Sequence, residues 1–148
     1  MKTRLWTMAL ILACFAGTAS AQVPVADFFS TSSKLNGAAM PAGTRIEAFD
    51  SDGIRCGFAE TNADGSFLIH VYGNDPMTPN VDEGAREGEL LAWRINGAAP
   101  QSADWVRNVI GIFSDLRFEN NGAKEMRLNG TTATEPRTWT AVKNDYRR

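Results

Sequence analysis

The chain has 148 residues, and its 15 Lys and Arg against 17 Asp and Glu give a formal net charge of −2 at pH 7. This mildly acidic balance argues against nucleic-acid binding, because contact with a phosphate backbone needs concentrated positive charge. The chain has one histidine and neither an HExxH motif nor a nucleophile elbow, so the sequence gives catalysis little support.

The amino-terminal segment has the three parts of a signal peptide. Lys2 and Arg4 precede an apolar run over residues 5–17, and small residues follow up to Ala21. We therefore expect cleavage after Ala21 and a mature chain that is secreted, periplasmic or at the cell surface. The apolar run is shorter than the roughly 20 residues of a membrane span, and no second one follows. A lipoprotein attached through Cys14 is the weaker alternative.

The remaining residues 22–148 fall in the size range of one domain. Without Lys2 and Arg4 the 15 basic residues become 13 against 17 acidic ones, a balance of −4. Because Cys14 leaves with the leader, Cys56 is alone and no internal disulfide is expected. Cys56 is then either a small buried apolar residue or an exposed thiol that can pair with another chain.

Short alternating or β-branched runs recur along residues 27–128, and nearly all end at an Asn-Gly or Asp-Gly turn signal. The predicted pattern is an all-β, antiparallel sandwich of about seven strands over residues 22–132. The runs are DFFSTSSKL before Asn36-Gly37, TRIEAF before Asp52-Gly53, CGFAET before Asp64-Gly65, SFLIHVY before an acidic loop, ELLAWRI before Asn96-Gly97, WVRNVIGIFSDLRFE before Asn121-Gly122 and KEMRL before Asn129-Gly130.

One stretch, residues 35–71, carries a recognisable series of turn and strand residues. The series is Gly37, Pro41, Gly43, Ile46, Ala48, Asp50, Gly53, Thr61, Asp64, Gly65 and Phe67. It resembles the transthyretin-like, or carboxypeptidase-regulatory-like, Ig-like β-sandwich modules of secreted bacterial or archaeal proteins. The resemblance implies a sandwich fold and, since such modules serve in adhesion, scaffolding, carbohydrate association and processing, no single activity.

The loop between residues 72 and 90 gathers acidic side chains. Three of them, Asp75, Asp82 and Glu83, are the candidate ligands of a calcium ion, which takes six to eight oxygen ligands. Asp50 or Asp52 would join them if their turn lies at the same end of the domain. The spacing is not that of an EF-hand. The alternative is a solvated loop in which Arg86 pairs with a neighbouring acid.

Two catalytic arrangements and one binding arrangement remain as alternatives. Cys56 and His70 would form a dyad if their strands pair, and Asp82 with Glu83 could serve glycoside hydrolysis. The aromatic residues in the strand-like runs either fill the core or stack on sugars or peptides. Those aromatic residues are Trp93, Trp105, Phe113 and Phe118.

The segment 133–148 changes character, because Trp139, Val142 and Tyr146 recur at helical spacing. We expect a short amphipathic helix there that docks on the sandwich or acts as a sorting signal. The expected function is that of an exported, non-enzymatic module for interaction or scaffolding, with an extracellular protein or glycan as partner. A calcium-dependent carbohydrate-binding module and a small secreted hydrolase are the alternatives.

Overall fold

The computed structural model describes residues 22–132, and every regular element within them is a β-strand. The all-β prediction is confirmed over this range. The strands are β1 (Val25–Ser30), β2 (Lys34–Leu35), β3 (Ala38–Ala39), β4 (Arg45–Phe49), β5 (Arg55–Glu60), β6 (Phe67–Tyr72), β7 (Ala92–Ile95), β8 (Ser102–Ile110) and β9 (Ala123–Gly130). The described residues contain no helix long and apolar enough to cross a membrane. The predicted signal peptide and C-terminal helix fall on residues outside this range.

The nine strands form a single curled sheet of mixed direction. Its order is β3-β2-β9-β1-β6-β5-β4-β7, and β8 pairs with the second edge of β9. β9 runs parallel to both β1 and β2, whereas the other pairs are antiparallel. The prediction of a purely antiparallel arrangement is therefore wrong, and the sandwich is not confirmed. The structure has nine strands where about seven were predicted, and two of the nine, β2 and β3, have only two residues each. Residue alternation identifies a strand but does not identify its partner or their relative direction.

A bend at Ser30–Ser33 divides the run that the sequence predicts as one strand into β1 and β2. Ser33 donates from its Oγ to Ser30 Oγ at 2.7 Å, and both serines are buried. The Ser33 Oγ also accepts the backbone N–H of Leu128, on β9, at 2.9 Å. Side-chain hydroxyls thus take the place of the interrupted strand ladder, as short polar side chains often do at bends.

The core lies on the concave side of the sheet. Along β6 the residues Phe67, Ile69 and Val71 are buried, while the alternating residues between them are exposed, as predicted. Phe28 on β1 contacts Trp93 on β7 with ring centroids 5.1 Å apart. Because β1 lies in the middle of the sheet and β7 at its end, this contact requires the sheet to curl over its own core.

Most of the predicted turns are present. Asn36, Asn96 and Asn121 all adopt positive φ, as the first residue of an Asn-Gly hairpin turn requires. The turn predicted at Asn129-Gly130 is wrong, because both residues belong to β9 and pair with Ser102 and β2. A Cβ at Gly130 would lie 2.7 Å from the Ile95 Cδ1, so this glycine serves close packing instead of a turn.

Candidate functional site

An apolar groove lies between the two ends of the curled sheet. It has a volume of about 320 Å³ and is lined by Leu90, Leu91, Trp93, Ala103, Trp105, Ser114, Asp115 and Leu116. Among the described strands β7 pairs with β4 alone and β8 with β9 alone, and Ile95 at the end of β7 also forms a bridge with Ala98. The groove therefore separates two strands that each pair on one side. The sequence did not indicate this groove, because the strand order brings its walls together and the residue pattern does not predict that order.

Trp93 is the groove residue with an unmet hydrogen-bonding requirement. The side chain packs on the core, only 4% of the residue is exposed, and the indole N–H is buried without a partner in the part of the chain that is described. Such a donor destabilises a protein by about 1–3 kcal/mol relative to a paired one. A ligand with an acceptor oxygen that reached this N–H would remove that cost.

Trp105 forms the opposite wall of the groove, and its orientation is fixed. Its indole N–H donates to the Asn108 Oδ1 at 2.8 Å, and Asn108 in turn donates to the carbonyl oxygens of Gly111 and Phe113, both at 3.1 Å. Trp105 is 37% exposed, so one part of the indole remains open to solvent. The same hydrogen bonds tie this wall to the loop that follows β8.

The strand β8, which contributes Ala103 and Trp105 to the groove, exposes further apolar side chains towards its end, namely Val109, Ile110 and, just after the strand, Ile112. Its pairing with β9 shifts register twice, between Trp105 and Arg107 and between Asn108 and Ile110. Bulges of this kind interrupt the regular spacing of edge N–H and C=O groups and hinder open-ended strand addition. Any partner strand that pairs with β8 must therefore be short.

Lys124 holds the loop 111–119 that forms one end of the groove. Its side chain is 1% exposed, and its Nζ donates to the carbonyl oxygens of Asp115 at 3.1 Å and Arg117 at 2.8 Å. The Glu119 carboxylate lies 3.6 Å from Nζ and accepts the Ile112 N–H at 2.7 Å. Burial lowers the pKa of Lys124, although the carboxylates of Glu119 and Asp115 act in the opposite direction.

The sequence analysis did not identify Lys124, although a signal was present. Lys124, Met126 and Leu128 alternate along β9 and are all buried. A lysine on the apolar face of an alternating strand needs polar partners, because an unpaired buried charge is very unfavourable. Here those partners are the loop carbonyls and Glu119.

The three predicted metal ligands lie in the same loop, but each is held by a different partner. Asp75 accepts the Met77 N–H at 2.8 Å, Glu83 accepts the Thr78 hydroxyl at 2.9 Å, and Asp82 accepts Arg86 at 2.8 Å. Within residues 22–132 no group of three or more His, Cys, Asp or Glu is placed to hold a metal ion. The second oxygen of Asp82 is buried and unpaired in this range. Calcium binding stays a prediction.

Arg86 occupies the position between the acidic loop and the Asp50–Gly53 turn. Its Nη2 lies 2.8 Å from Asp82 and 3.2 Å from Asp52, so the turn and the loop do share one end of the domain. Glu89 also joins them, because it accepts hydrogen bonds from Ser51 and from the Arg86 N–H. The cation that bridges Asp82 and Asp52 is therefore a guanidinium.

Cys56 and His70 both line a shallow recess of about 280 Å³, but no hydrogen bond joins them. The His70 Nδ1 lies 2.6 Å from the Asp27 Oδ1, and the Cys56 thiol donates to the Ala48 carbonyl oxygen at 3.5 Å. Burial, assisted by the charge of Asp50, raises the pKa of Cys56 to about 12. A thiol in this state is a weak nucleophile, so the geometry does not favour the dyad.

The remaining aromatic residues named in the sequence analysis divide between core and surface. Phe118 is buried like Trp93, and Phe113 is half-buried with the Lys124 Nζ 5.7 Å from its ring centroid. Of the four, only Trp105 is classed as exposed, so its ring is the one open to stacking on a ligand.

Comparison with family models, with curated proteins and with solved structures gives no match to this chain. The resemblance to transthyretin-like modules therefore remains a prediction.

Proposed function

We propose that residues 22–132 form a sandwich-type, non-enzymatic interaction module that binds an extended, apolar segment of a partner protein. The binding site is the groove between β7 and β8. The observation that carries the proposal is that Trp93, whose buried indole N–H has no partner among the described residues, lines a mostly apolar groove. At ligand sites of this kind apolar walls supply affinity, and a few polar groups fix the orientation of the ligand.

A polypeptide segment suits this groove for two reasons. Its backbone carbonyl oxygens are acceptors that can satisfy the Trp93 indole N–H, and its backbone can pair with a strand that is paired on one side only. Its apolar side chains would contact Leu90 and Trp105, both partly open to solvent. Since β8 is interrupted by two bulges, we expect a segment of only a few residues to be ordered on binding.

A sugar fits the groove less well. Stacking on Trp105 is available, but sugar hydroxyls need several polar partners, and Ser114 and Asp115 are the polar side chains of the groove besides Trp93. Asp115 is already engaged, because its carboxylate accepts the Arg117 Nε at 2.8 Å. Hydrolytic activity also receives little support, since burial keeps the Cys56 thiol protonated and no hydrogen bond joins it to His70.

Selection from a random peptide library displayed on phage tests the proposal. We expect the wild-type domain to enrich peptides with alternating apolar residues. The variant Ala103→Arg should weaken binding of the selected peptides at least about tenfold, because it places a long charged side chain in the groove at an exposed position. Leu68→Ser, on the opposite face of the sheet, is the matched control and should bind like wild type.

The intrinsic fluorescence of the tryptophans gives a second measurement. A selected peptide should shift the emission of wild type, and Trp105→Phe should reduce this shift while preserving the fold. The proposal is wrong if no peptide is enriched, or if the enriched peptides bind Ala103→Arg as tightly as wild type. Binding of glycans in place of peptides, lost in Ala103→Arg, would assign the groove to carbohydrate.

A further inference from the structure

The convex face of the sheet, on the side away from the groove, carries a cluster of arginine and aromatic side chains. Phe58 on β5 is 49% exposed, and two guanidinium groups lie over its ring. The Cζ atoms of Arg45 and Arg55 are 5.4 Å and 5.9 Å from the ring centroid. Cation–π contacts of this type are attractive and restrict the arginine side chains.

A buried carboxylate fixes both of these arginines. Glu47 on β4 is only 4% exposed, and its Oε1 accepts Arg45 Nη2 at 2.7 Å and Arg55 Nη1 at 3.2 Å. Burial acts to raise the pKa of Glu47, but the hydrogen bonds from the two arginines outweigh it and hold the pKa below its usual value. One carboxylate thus orients two guanidinium groups, each of which keeps N–H donors open to solvent.

A third arginine extends the cluster across the sheet. Arg94 on β7 lies opposite Glu47 in the strand register, and its Cζ is 4.4 Å from the Phe49 ring centroid. Arg94 makes no ion pair within residues 22–132, and neither does Glu60, which lies opposite Arg45. Three guanidinium groups therefore share this part of the sheet with two carboxylates, those of Glu47 and Glu60, and the surplus is one positive charge on a chain whose formal net charge is −2.

The neighbouring strand β6 adds apolar surface to the arginines. Leu68 and Tyr72 are each about half exposed, and Tyr72, Phe58 and Arg55 share the walls of one shallow recess. Tyrosine, phenylalanine and arginine are the residues that protein–protein interfaces enrich, because they combine large contact area with directed hydrogen bonds. A surface that bound its partner by charge alone would not need to expose Phe58, Leu68 and Tyr72.

We infer that this arginine–aromatic face, defined by Arg45, Arg55, Phe58, Tyr72 and Arg94, binds an acidic polypeptide segment that also carries aromatic or aliphatic side chains. The carboxylates pair with the guanidinium groups, and the apolar side chains contact Phe58 and Tyr72. Because this face and the groove lie on opposite sides of the sheet, the module can hold two partners at once. The inference does not depend on the peptide proposed for the groove.

A random copolymer of glutamate and tyrosine is a suitable probe, and polyglutamate and heparin are the comparison polymers. Binding is measured by surface plasmon resonance on immobilised domain at low and at physiological salt. We expect the Glu–Tyr copolymer to bind more tightly than polyglutamate and more tightly than heparin. Phe58→Ser and Arg94→Gln should each weaken that binding at least about tenfold. Arg94→Gln breaks no ion pair within the described range, so its fold should be unaffected.

Two controls separate this face from the rest of the molecule. Arg107→Gln removes an exposed arginine of β8 that pairs with Glu125, and Ala103→Arg changes the groove; both should bind the copolymer like wild type. Equal binding of polyglutamate would overturn the inference, because charge alone would then suffice. A preference for heparin, or no binding of the copolymer by the folded wild type, would overturn it as well.

Discussion

Phe28 and Trp93 meet edge to face, with ring centroids 5.1 Å apart and an interplanar angle of 65°. The contact joins the middle of the sheet to its end, and Phe28 is fully buried. We expect Phe28→Ala to lower the free energy of unfolding by about 3–5 kcal/mol, since it leaves a cavity and removes the aromatic contact. Urea denaturation measures the change. Leu68→Ala, at an exposed position, should change it by no more than about 0.5 kcal/mol.

Replacement of Lys124 should loosen the loop that ends the groove. Lys124→Met leaves two carbonyl oxygens without their donor and Glu119 without its nearby cation, so we expect a loss of about 2–3 kcal/mol. Hydrogen exchange should increase selectively within residues 111–119. Arg107→Met removes an exposed ion pair with Glu125 and should cost less than about 1 kcal/mol. Unchanged exchange in the loop would show that Lys124 does not hold it.

The Cys56 thiol should resist alkylation in the folded protein. It is buried, and a pKa of about 12 leaves almost no thiolate at about pH 8, where an ordinary cysteine reacts readily. Mass spectrometry should find little iodoacetamide adduct on native protein and complete modification after denaturation. Rapid modification without denaturant, or a disulfide-linked dimer on a non-reducing gel, would contradict the buried position and support the crosslinking alternative.

Glu47 should make stability depend on pH in the acidic range. Because its pKa is lower in the folded than in the unfolded chain, the contribution is present above the unfolded value near 4.5 and is lost as pH falls through the folded value. Glu47→Gln should therefore cost about 1 kcal/mol near neutral pH, a small figure because both arginines are half exposed to solvent. The difference from wild type should disappear in acid. Combined Arg45→Gln and Arg55→Gln should remove the same dependence.

The calcium prediction is decided by thermal unfolding. Since Arg86 already pairs with Asp82 and Asp52, and since Asp75 and Glu83 have their own hydrogen-bond partners, we expect the same midpoint in millimolar calcium and in chelator. Asp82→Asn should lower stability by less than about 1 kcal/mol through loss of the exposed pair with Arg86. A midpoint that rises with calcium in wild type but not in Asp82→Asn would establish the metal site instead.

Short sequence patterns predicted turns and the alternation of buried and exposed residues, but they did not predict which strands pair. The positive φ of Asn36 and Asn96 follows from the chemistry of Asn-Gly turns, and the alternation of β6 follows from its residue pattern. Asn129-Gly130 carries the same signal but lies in a strand, because pairing with β2 and contact with Ile95 override the turn preference.

The groove and the arginine–aromatic face could not be predicted for a related reason. Trp93 and Trp105 line the same groove only because the sheet curls, and Arg94 reaches the cluster only because β7 pairs with β4. Neither relationship follows from distance along the chain. The acidic loop was found from composition alone, but the partners of its carboxylates depend on the turn that carries Asp52.

The parallel pairing of β9 with β1 has a consequence for the rate at which the domain folds. Asp27 lies opposite Ala123, and the Ser33 hydroxyl accepts the N–H of Leu128, 95 residues further along the chain. Contacts of such wide sequence separation require a large loop to close before they stabilise anything, and proteins rich in them fold in milliseconds to seconds. Until β9 has paired, the edge of β1 and the apolar side chains beside it remain accessible to other chains. Aggregation therefore competes with folding during this interval.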